Sequence, residues 1–390
     1  MNEKYTRFGY VQMALRRHDM AMLKKIEIRG YRSIKAASVE LRKLNVLIGA
    51  NGAGKSNFIS FFKLLNEMMA GRLQEYIGKT GRAQSILHFG PKVTLQLEAI
   101  LEFQETGGSN TYAMRLFHAA NDILLFADET LDYKKEGWYG VHKPPMSLGA
   151  GHAETQIVGL ANDGNQTAKV LHYKLNQCRV YHFHDTSATA PSRQASYIHA
   201  NRWLMPDAGN LASMLYVYQQ QHDVVYKRIV STVRKIMPDF GDFDLAPSRL
   251  NPNDIFLNWR KKGSDYLFGP HQISDGTLRV MAILTLLLQP EDDLPDVIIL
   301  DEPELGLHPH ALEIVAGLLR AVSEKTQVIV ATQSLTFLNS FEASEIITVD
   351  CHDGQSQFHR LEPEPLKDWL EDYSIGELWQ RNVIGAGPMP

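Results

Sequence analysis

A glycine-rich segment, Gly49-Ala-Asn-Gly-Ala-Gly-Lys-Ser56, has the spacing G-x-x-x-x-G-K-[ST] of loops that cradle phosphate groups. Small residues allow successive main-chain N–H groups to curl around phosphate oxygens, and a helix that begins near Lys55 directs positive partial charge at the anion. The pattern predicts that Lys55 bridges the β and γ phosphates and that the Ser56 hydroxyl binds Mg²⁺. A glycine-rich turn that binds nothing is the alternative. The other predicted nucleotide-binding residues are those of the loop and the residue after its serine: Gly49, Ala50, Asn51, Gly52, Ala53, Gly54 and Asn57.

A second set of residues suited to chemistry lies at the end of the run Val297-Ile-Ile-Leu-Asp-Glu302. Four apolar residues followed by two carboxylates are typical of a central strand that brings acids to the carboxyl edge of a parallel sheet. Because adjacent strand residues face opposite ways, we expect different roles for the two acids. Asp301 would bind Mg²⁺ through its hydration shell, and Glu302 would orient or deprotonate the attacking water. An acidic strand cap is the alternative, and the phosphate loop upstream argues against it.

The hydrophobic pattern around these segments predicts the elements that hold them. A buried strand at 44–48 precedes the phosphate loop, and apolar residues at three-and-four spacing predict a helix at 56–70 that ends at Gly71. The β-rich runs from 86 to 126 predict an antiparallel meander. Strands and helices alternate from 254 to 331, which predicts a parallel core sheet with right-handed crossovers. Further predicted segments are loops at 131–168, a strand at 180–184 and a helix at 210–237.

The composition is that of an ordinary globular protein of 390 residues, with 44% apolar and 22% charged residues. These values exclude disorder, collagen-like repeats and a disulfide scaffold. A net charge of −4 gives no global field that would hold a polyanion, so any nucleic-acid contact must be a local patch. Two cysteines, Cys178 and Cys351, indicate a reducing compartment and exclude a zinc site built on several thiolates. We therefore expect a cytoplasmic protein without a membrane anchor or export signal.

Four segments, taken in order, resemble the ABC-type ATPase heads of the RecF, SMC and OLD group, and more narrowly the stand-alone ATPases of the AAA-21 and AAA-15 type. They are IGANGAGKSN, ISDGTLR at 273–279, IILDEPELGLHP at 298–309 and VIVATQS at 328–334. The resemblance runs from about Met22 to the C-terminus, and Asn57 after the loop serine suits this group better than transporter subunits. It implies an α/β P-loop NTPase fold of the ABC-ATPase head type, with an antiparallel meander, a parallel core sheet and a helical insertion.

The resemblance and the pattern of elements together predict four segments. They are an N-terminal extension at 1–21, an ATPase lobe I with the phosphate loop and meander at 22–170, a helical or lid insertion at 171–245, and an ATPase lobe II at 246–390 with the signature, Walker B, D-loop and switch motifs.

In the group that the chain resembles, ISDG is the signature motif, which one subunit supplies to an ATP held by the phosphate loop of the other. Ser274 and Gly276 would therefore contact the γ phosphate across a head-to-tail homodimer with two active sites. Without the resemblance, the same residues read as a helix cap. The segment 304–308 would be the D-loop, which runs along the dimer seam.

Two further residues have roles that the resemblance implies. Related ATPases often carry a histidine that senses the γ phosphate, but this chain has Gln333, whose amide cannot carry a proton's charge, so we expect slow hydrolysis. Arg32 would contact phosphate or adenine, because related heads use a basic residue near the first strand turn. A metal-contacting glutamine is also implied, and Gln84 and Gln96 are equal candidates for it.

The resemblance implies an ATPase whose ATP-dependent dimerisation controls a separate partner. The sequence lacks the sustained heptads that would predict a long SMC-type arm. No OLD-type nuclease domain is visible either. We therefore expect a separate effector such as a nuclease or toxin. Anti-phage defence or genome maintenance is the suggested setting. The alternatives are an ATP-locked scaffold with negligible turnover and a RecF-type sensor of DNA damage or DNA ends, with basic patches near Arg29 and Arg260.

His182 and His184 could bind a metal from one strand face, although interface packing is the more frequent role.

Overall fold

A computed structural model describes residues 22–137 and 144–387, which form two units. The first unit contains the described residues up to Lys43, 60–178 and 353–356, and the second contains 44–59, 179–352 and the residues from 357 onward. The predicted N-terminal extension at 1–21 lies outside the described residues. No helix within the described ranges is long and apolar enough to span a bilayer.

The strands, in chain order, are β1 (Met22–Tyr31), β2 (Ile34–Glu40), β3 (Leu44–Ile48), β4 (Gln96–Glu105), β5 (Gly108–Ala119), β6 (Ile123–Lys135), β7 (Met146–Ser147), β8 (Cys178–Tyr181), β9 (Ser196–Tyr197), β10 (Phe240–Asp244), β11 (Asp254–Ile255), β12 (Asn258–Lys261), β13 (Leu267–Phe268), β14 (Val297–Asp301), β15 (Gln327–Thr332), β16 (Ile346–His352) and β17 (Gln355–Arg360).

The helices are α1 (Lys55–Met69), α2 (Leu73–Lys79), α3 (Arg82–Ile86), α4 (Ile157–Asn162), α5 (Gln166–Asn176), α6 (Leu211–Gln221), α7 (Asp223–Ile236), α8 (Asp275–Leu288), α9 (Pro309–Ser323), α10 (Leu335–Leu338), α11 (Lys367–Asp372) and α12 (Ile375–Gln380).

The first unit is built on a six-stranded antiparallel sheet with the strand order β2-β1-β4-β5-β6-β7. This sheet contains the predicted meander, because β4, β5 and β6 pair in chain order. Alternation along β4 buries Leu97, Ala99 and Leu101 on one face. The rings of Tyr31 on β1 and Phe61 on α1 meet edge to face with centroids 5.5 Å apart, so the C-terminal half of α1 packs against this sheet.

The second unit contains the predicted parallel sheet, with the strand order β17-β16-β3-β15-β14-β8. The central strands β16, β3, β15 and β14 run parallel. Every residue of β3, β14 and β15 is buried, as expected for strands covered on both faces. Helices α8 and α9 supply much of the apolar cover, since α8 alone buries eleven consecutive residues from Leu278 to Leu288. The mixed α/β fold predicted from the sequence is therefore confirmed.

Two details of the second unit differ from the sequence prediction. The single helix predicted at 210–237 is two helices, α6 and α7, because the main chain at His222 is not helical, with φ −132° and ψ 57°. The phosphate loop, predicted in one lobe with the meander, groups instead with the parallel sheet. The physical reason is that β3, which leads into the loop, pairs with β15 and β16. The predicted boundaries at 170 and 245 stay predictions.

The start of the phosphate loop is fixed by a close main-chain contact. A Cβ atom at Gly49 would lie 2.1 Å from the carbonyl oxygen of Val349 on β16. We expect Gly49→Ala to lower the free energy of unfolding by about 1–3 kcal/mol, because rigid main chain must move to make room. Thermal unfolding without nucleotide measures this change.

Gly317 offers a matched control, since it lies inside α9 and a Cβ atom there would have no neighbour within 4 Å. Gly317→Ala should raise the stability by about 0.5–1 kcal/mol, the usual gain for alanine over glycine in a helix. Equal midpoints for wild type and Gly49→Ala would contradict the packing argument.

Candidate functional site

The phosphate loop, residues 49–54, joins the buried strand β3 to helix α1. Its main chain is left-handed at two glycines, with φ +80° at Gly52 and +115° at Gly54, a conformation that other residues rarely adopt. Ser56 is exposed in the first turn of α1, and Asn57 beside it is half-buried. A loop of this shape that leads into a fifteen-residue helix has the form of an anion site at a helix N-terminus.

Lys55 is the first residue of α1 and is 4% exposed. Its Nζ atom donates to two carbonyl oxygens of its own loop, those of Gly49 at 2.6 Å and Ala50 at 3.0 Å. Burial lowers the pKa of the Lys55 ammonium, and nearby carboxylates oppose that shift. They belong to Glu302, Asp301 and Glu304. The cation therefore lies within electrostatic reach of the acidic strand end.

The predicted acidic pair lies where β14 ends. Asp301 is the last residue of the strand and is 8% exposed. Glu302 has φ +44°, although its N–H still donates to the carbonyl of Ala331 at 2.8 Å. A turn, and not the strand pleat, therefore sets the direction of Glu302, and the expectation that the two acids have different roles stays a prediction. His184 Nε2 lies 2.8 Å from the carbonyl oxygen of Asp301, which can only accept, so Nε2 carries the proton.

Gln333, the residue after β15, contacts the acidic turn twice. Its side-chain Nε2 donates to Oε1 of Glu302, and its main-chain N–H donates to Oε1 of Glu304 at 3.0 Å. The Thr332 hydroxyl donates to the same oxygen of Glu304 at 2.5 Å. Burial raises the pKa of Glu304, and the hydrogen bonds from Thr332 and Gln333 oppose the shift.

Strand register explains why these groups meet. β15 lies between β3 and β14, and Ala331 pairs with Asp301 while Thr332 pairs with Ile48. The carboxyl ends of three parallel strands therefore reach one sheet edge, where the phosphate loop, the acidic pair and Gln333 follow in adjacent positions. The structure brings together the predicted residues Lys55, Asp301, Glu302 and Gln333.

The predicted signature residues lie at the start of α8. Ser274 is exposed and caps its own helix, because its Oγ atom accepts from the N–H of Thr277 at 3.3 Å and donates to the Thr277 hydroxyl at 2.8 Å. A Cβ atom at Gly276 would lie 2.3 Å from the carbonyl oxygen of Gly306 in the predicted D-loop. Both residues thus have local structural roles, and their contact with a nucleotide on a partner subunit stays a prediction.

Two buried arginines connect the signature segment to its surroundings. Arg279 on α8 donates to the carbonyls of Leu305 and of Phe183, the latter at 2.8 Å. Arg193 donates to the carbonyl of Ile273 at 2.9 Å and to a carboxylate oxygen of Asp275 at 2.7 Å. Because guanidinium groups offer several donors in a fixed plane, each arginine fixes loops that have no regular structure of their own.

Arg32 belongs to the first unit, at the turn between β1 and β2, where φ is +47°. Its guanidinium carbon lies 5.5 Å from the ring centroid of Tyr31, and its carbonyl oxygen lies 2.6 Å from Nδ1 of His88. The suggested contact of Arg32 with a nucleotide stays a prediction.

The oxygen donors at the sheet edge fit the chemistry of Mg²⁺. The Ser56 hydroxyl is exposed at the start of α1, and Asp301 presents a carboxylate at the end of β14. Hydroxyl and carboxylate oxygens, completed by phosphate and water, form the usual octahedral shell of this ion. Across residues 22–137 and 144–387, no group of three or more His, Cys, Asp or Glu could hold a metal without such help. The metal alternative at His182 and His184 therefore receives no support.

Sequence reasoning did not single out several residues that shape the site. Glu304 appears in the sequence only as the start of a D-loop, and nothing local reveals its bonds to Thr332 and Gln333. Arg279 contacts Leu305, 26 positions away. A third acid two residues after Glu302 was the available signal for Glu304. The partners of a buried arginine have no sequence signal.

Two family models match the chain. One, described as an AAA domain, putative AbiEii toxin, Type IV TA system, matches residues 201–339. The other, described as an AAA ATPase domain, matches residues 22–110. The first covers the segments at 273–279, 298–309 and 328–334, and the second covers the phosphate loop.

The chain is also similar to individual proteins. An OLD nuclease from Thermus scotoductus is 24% identical over 363 residues, which is 85% of this chain, and the match spans 63% of the nuclease. An Smc head solved with the C-terminal winged-helix domain of ScpA superposes with a TM-score of 0.57 at 15% identity, covering 88% of this chain and 98% of that one. An Smc head from Pyrococcus furiosus with an extended coiled coil, bound to the C-terminal domain of ScpA, gives 0.55 at 14% identity, covering 90% and 99%. These structures share the fold.

The raised pKa of Glu304 gives a pH-dependent prediction. Its stabilising contribution is full below the ordinary glutamate pKa of about 4.3 and falls as the pH rises to the higher folded value. Glu304→Gln removes this loss, so its unfolding midpoint should rise relative to wild type over this window. Thermal unfolding of both proteins from about pH 4 to pH 8 without nucleotide measures the difference.

Glu362→Gln is the control, because Glu362 is exposed and the substitution makes the same change of charge. Its difference from wild type should stay flat with pH. A flat difference for Glu304→Gln as well would show that the Glu304 pKa is not raised.

Proposed function

We propose that this chain is an ATPase of the ABC, SMC and OLD kind, which binds ATP with Mg²⁺ and hydrolyses it as a head-to-tail homodimer. The matches to two AAA family models and the similarity to an OLD nuclease support the proposal. The observation that carries this proposal is the meeting of the phosphate loop, the acidic turn and Gln333 at one sheet edge. Phosphate binding, water activation and response to the nucleotide each need one of these three parts.

In the proposed binding step, ATP phosphates occupy the loop at 49–54. Lys55 Nζ, which donates to the carbonyls of Gly49 and Ala50, would turn to the anionic β and γ oxygens, which are stronger acceptors. Ser56 and Asp301 would hold Mg²⁺, whose charge would neutralise the phosphates. The low exposure of Lys55 strengthens its attraction to phosphate, because little water screens the charge.

In the proposed chemical step, Glu302 orients a water molecule in line with the bond between the β and γ phosphates. The water oxygen forms a new bond to the γ phosphorus, the bridging bond breaks with its electrons leaving on ADP, and Glu302 accepts the water proton. Gln333 holds Oε1 of Glu302, which leaves Oε2 for the water. Lys55 stabilises the charge on the transferring group.

The proposed dimer uses the exposed start of α8. Ser274 and the first-turn N–H groups of α8 would face the γ phosphate held by the other copy, with Gly276 part of that contact. Leu305, in the predicted D-loop beside it, is 41% exposed although apolar, which suits a surface covered by a second copy. The proposed consequence is that ATP controls the shape of the dimer.

We place the output in a separate effector, such as a nuclease or toxin, or in a nucleic acid held by the dimer. The support is that relatives include an OLD nuclease, a family described as a putative toxin, and Smc heads bound to ScpA domains. The cellular setting we propose is anti-phage defence or genome maintenance in the cytoplasm. An ATP-locked scaffold is a second candidate, favoured by the Gln333 amide that engages Glu302.

A phosphate-release assay on wild type and Glu302→Gln separates the two candidates. A hydrolysing enzyme should lose at least about 100-fold in kcat in the variant, because the water loses its base. The same variant should retain ATP and accumulate as a dimer in size-exclusion chromatography with Mg-ATP. A wild type that dimerises with ATP but releases no phosphate would favour the scaffold and contradict the enzyme.

Mixing two inactive variants tests the shared active site. Lys55→Ala removes the phosphate lysine of one copy, and Ser274→Arg blocks the exposed serine of the other. A mixed dimer has one site with both residues intact, so an equal mixture should recover up to about a quarter of the wild-type rate if the two sites act independently.

The control is each variant assayed by itself at the same total concentration, where no activity is expected. If Lys55 and Ser274 served one nucleotide from the same chain, mixing would restore nothing, because no chain carries both residues intact.

A further inference from the structure

Glu304 is a buried carboxylate whose contacts are specific. It is 9% exposed, and its Oε1 atom accepts two hydrogen bonds, from the Thr332 hydroxyl and from the main-chain N–H of Gln333. Its Oε2 atom has no hydrogen-bond partner within the described part of the chain. Burying a carboxylate is unfavourable, so a residue of this type at this place calls for a geometric reason.

The two hydrogen bonds to Glu304 fix the chain where β15 ends. Thr332 is the last residue of β15, and Gln333 follows it at the point where the chain leaves the sheet. The N–H that Glu304 holds is that of Gln333, and the side chain of Gln333 in turn donates to Glu302. The position of the Glu302 carboxylate therefore depends on the Gln333 main chain, which depends on Glu304.

The other side of Glu304 belongs to the predicted D-loop. The Glu304 carbonyl accepts from the N–H of Leu307 at 3.0 Å, and the carbonyl of Leu305 accepts from Arg279 on α8. Gly306 packs closely against Gly276, because a Cβ atom at Gly276 would lie 2.3 Å from the carbonyl oxygen of Gly306. A movement of the start of α8 would therefore act on residues 305–307 and, through them, on Glu304.

We propose that Glu304 is a positioning residue that ties the Gln333–Glu302 contact to the D-loop, so that hydrolysis depends on where the D-loop lies. The inference rests on the proposed function, because it needs Glu302 to activate water. Glu304 touches neither phosphate nor water in this scheme. It acts through the Gln333 main chain, and dimer closure at the exposed Leu305 would reach Glu302 by this route.

Two substitutions of Glu304 separate the effect of its hydrogen-bond geometry from the effect of its charge. Glu304→Ala removes the acceptor and leaves the buried Thr332 hydroxyl and the partly buried Gln333 N–H without it. Glu304→Gln removes the charge but keeps an oxygen where Oε1 lies. If position is what matters, Glu304→Gln should retain most activity and Glu304→Ala should not, even though both lose the charge that acts on Lys55.

The test is steady-state phosphate release by full-length wild type, Glu304→Ala, Glu304→Gln and Gln333→Ala, and by the double variant of the two alanine changes. We expect kcat of Glu304→Ala to fall about 10- to 100-fold with the ATP KM within about twofold, as for a displaced catalytic group. Glu304→Gln should recover kcat to within about threefold of wild type. The double variant should fall no further than the worse single variant, because both changes break one chain of contacts.

Glu313→Ala is the control for loss of a surface carboxylate and should leave kcat and KM unchanged. Circular dichroism and an ATP-binding titration establish that each variant is folded and binds nucleotide. Multiplying losses in the double variant, or equal losses for Glu304→Gln and Glu304→Ala, would overturn the inference. A wild type that binds ATP but does not turn it over would overturn the proposed function and this inference together, whereas turnover unaffected by Glu304→Ala overturns the inference only.

Discussion

Parallel pairing of β15 with β3 on one side and β14 on the other sets the spacing of every group at the site. The ladder fixes the ends of the three strands, and the functional residues follow those ends at once: Gly49 after β3, Glu302 after β14 and Gln333 after β15. Because all three strands are buried along their whole length, the edge is a rigid support. Each functional residue lies close to a fixed strand end, so only short stretches of loop determine its position.

Beyond the strand ends, hydrogen bonds from buried side chains, and not the strand ladder, fix the main chain. Arg193, Arg279, Glu304 and Lys55 are all less than a tenth exposed, and each has hydrogen bonds to main-chain atoms of the segments around the site. Buried charged groups are unfavourable unless they are well bonded, so these contacts resist displacement. The site is thus a set of irregular turns fixed by charges, at the edge of an apolar sheet.

Sequence reasoning succeeded where structure is local. The phosphate loop follows a run of apolar residues and precedes a helix, and periodicity and glycine spacing predict both elements. It failed where structure depends on distant partners or on one main-chain angle. The polar composition of residues 131–168 predicts loops, yet α4 begins at Ile157. The sequence pattern treats Glu302 as a strand residue, but β14 ends at Asp301 and Glu302 has a positive φ. No pattern in the sequence shows that Glu304 meets Thr332.

Under the proposed function, the chemistry of Gln333 limits how this site could respond to a nucleotide. A histidine at the end of β15 would gain or lose a charge near neutral pH, and its bond to a carboxylate would change with it. The Gln333 amide is neutral at every pH, so the strength of its contact with Glu302 is constant while the geometry holds. Release of Glu302 would then need a displacement of these groups, and not a change in the charge of Gln333. The bonds from Thr332 and Gln333 to Glu304 make the turn after β14 the place where such a displacement would act.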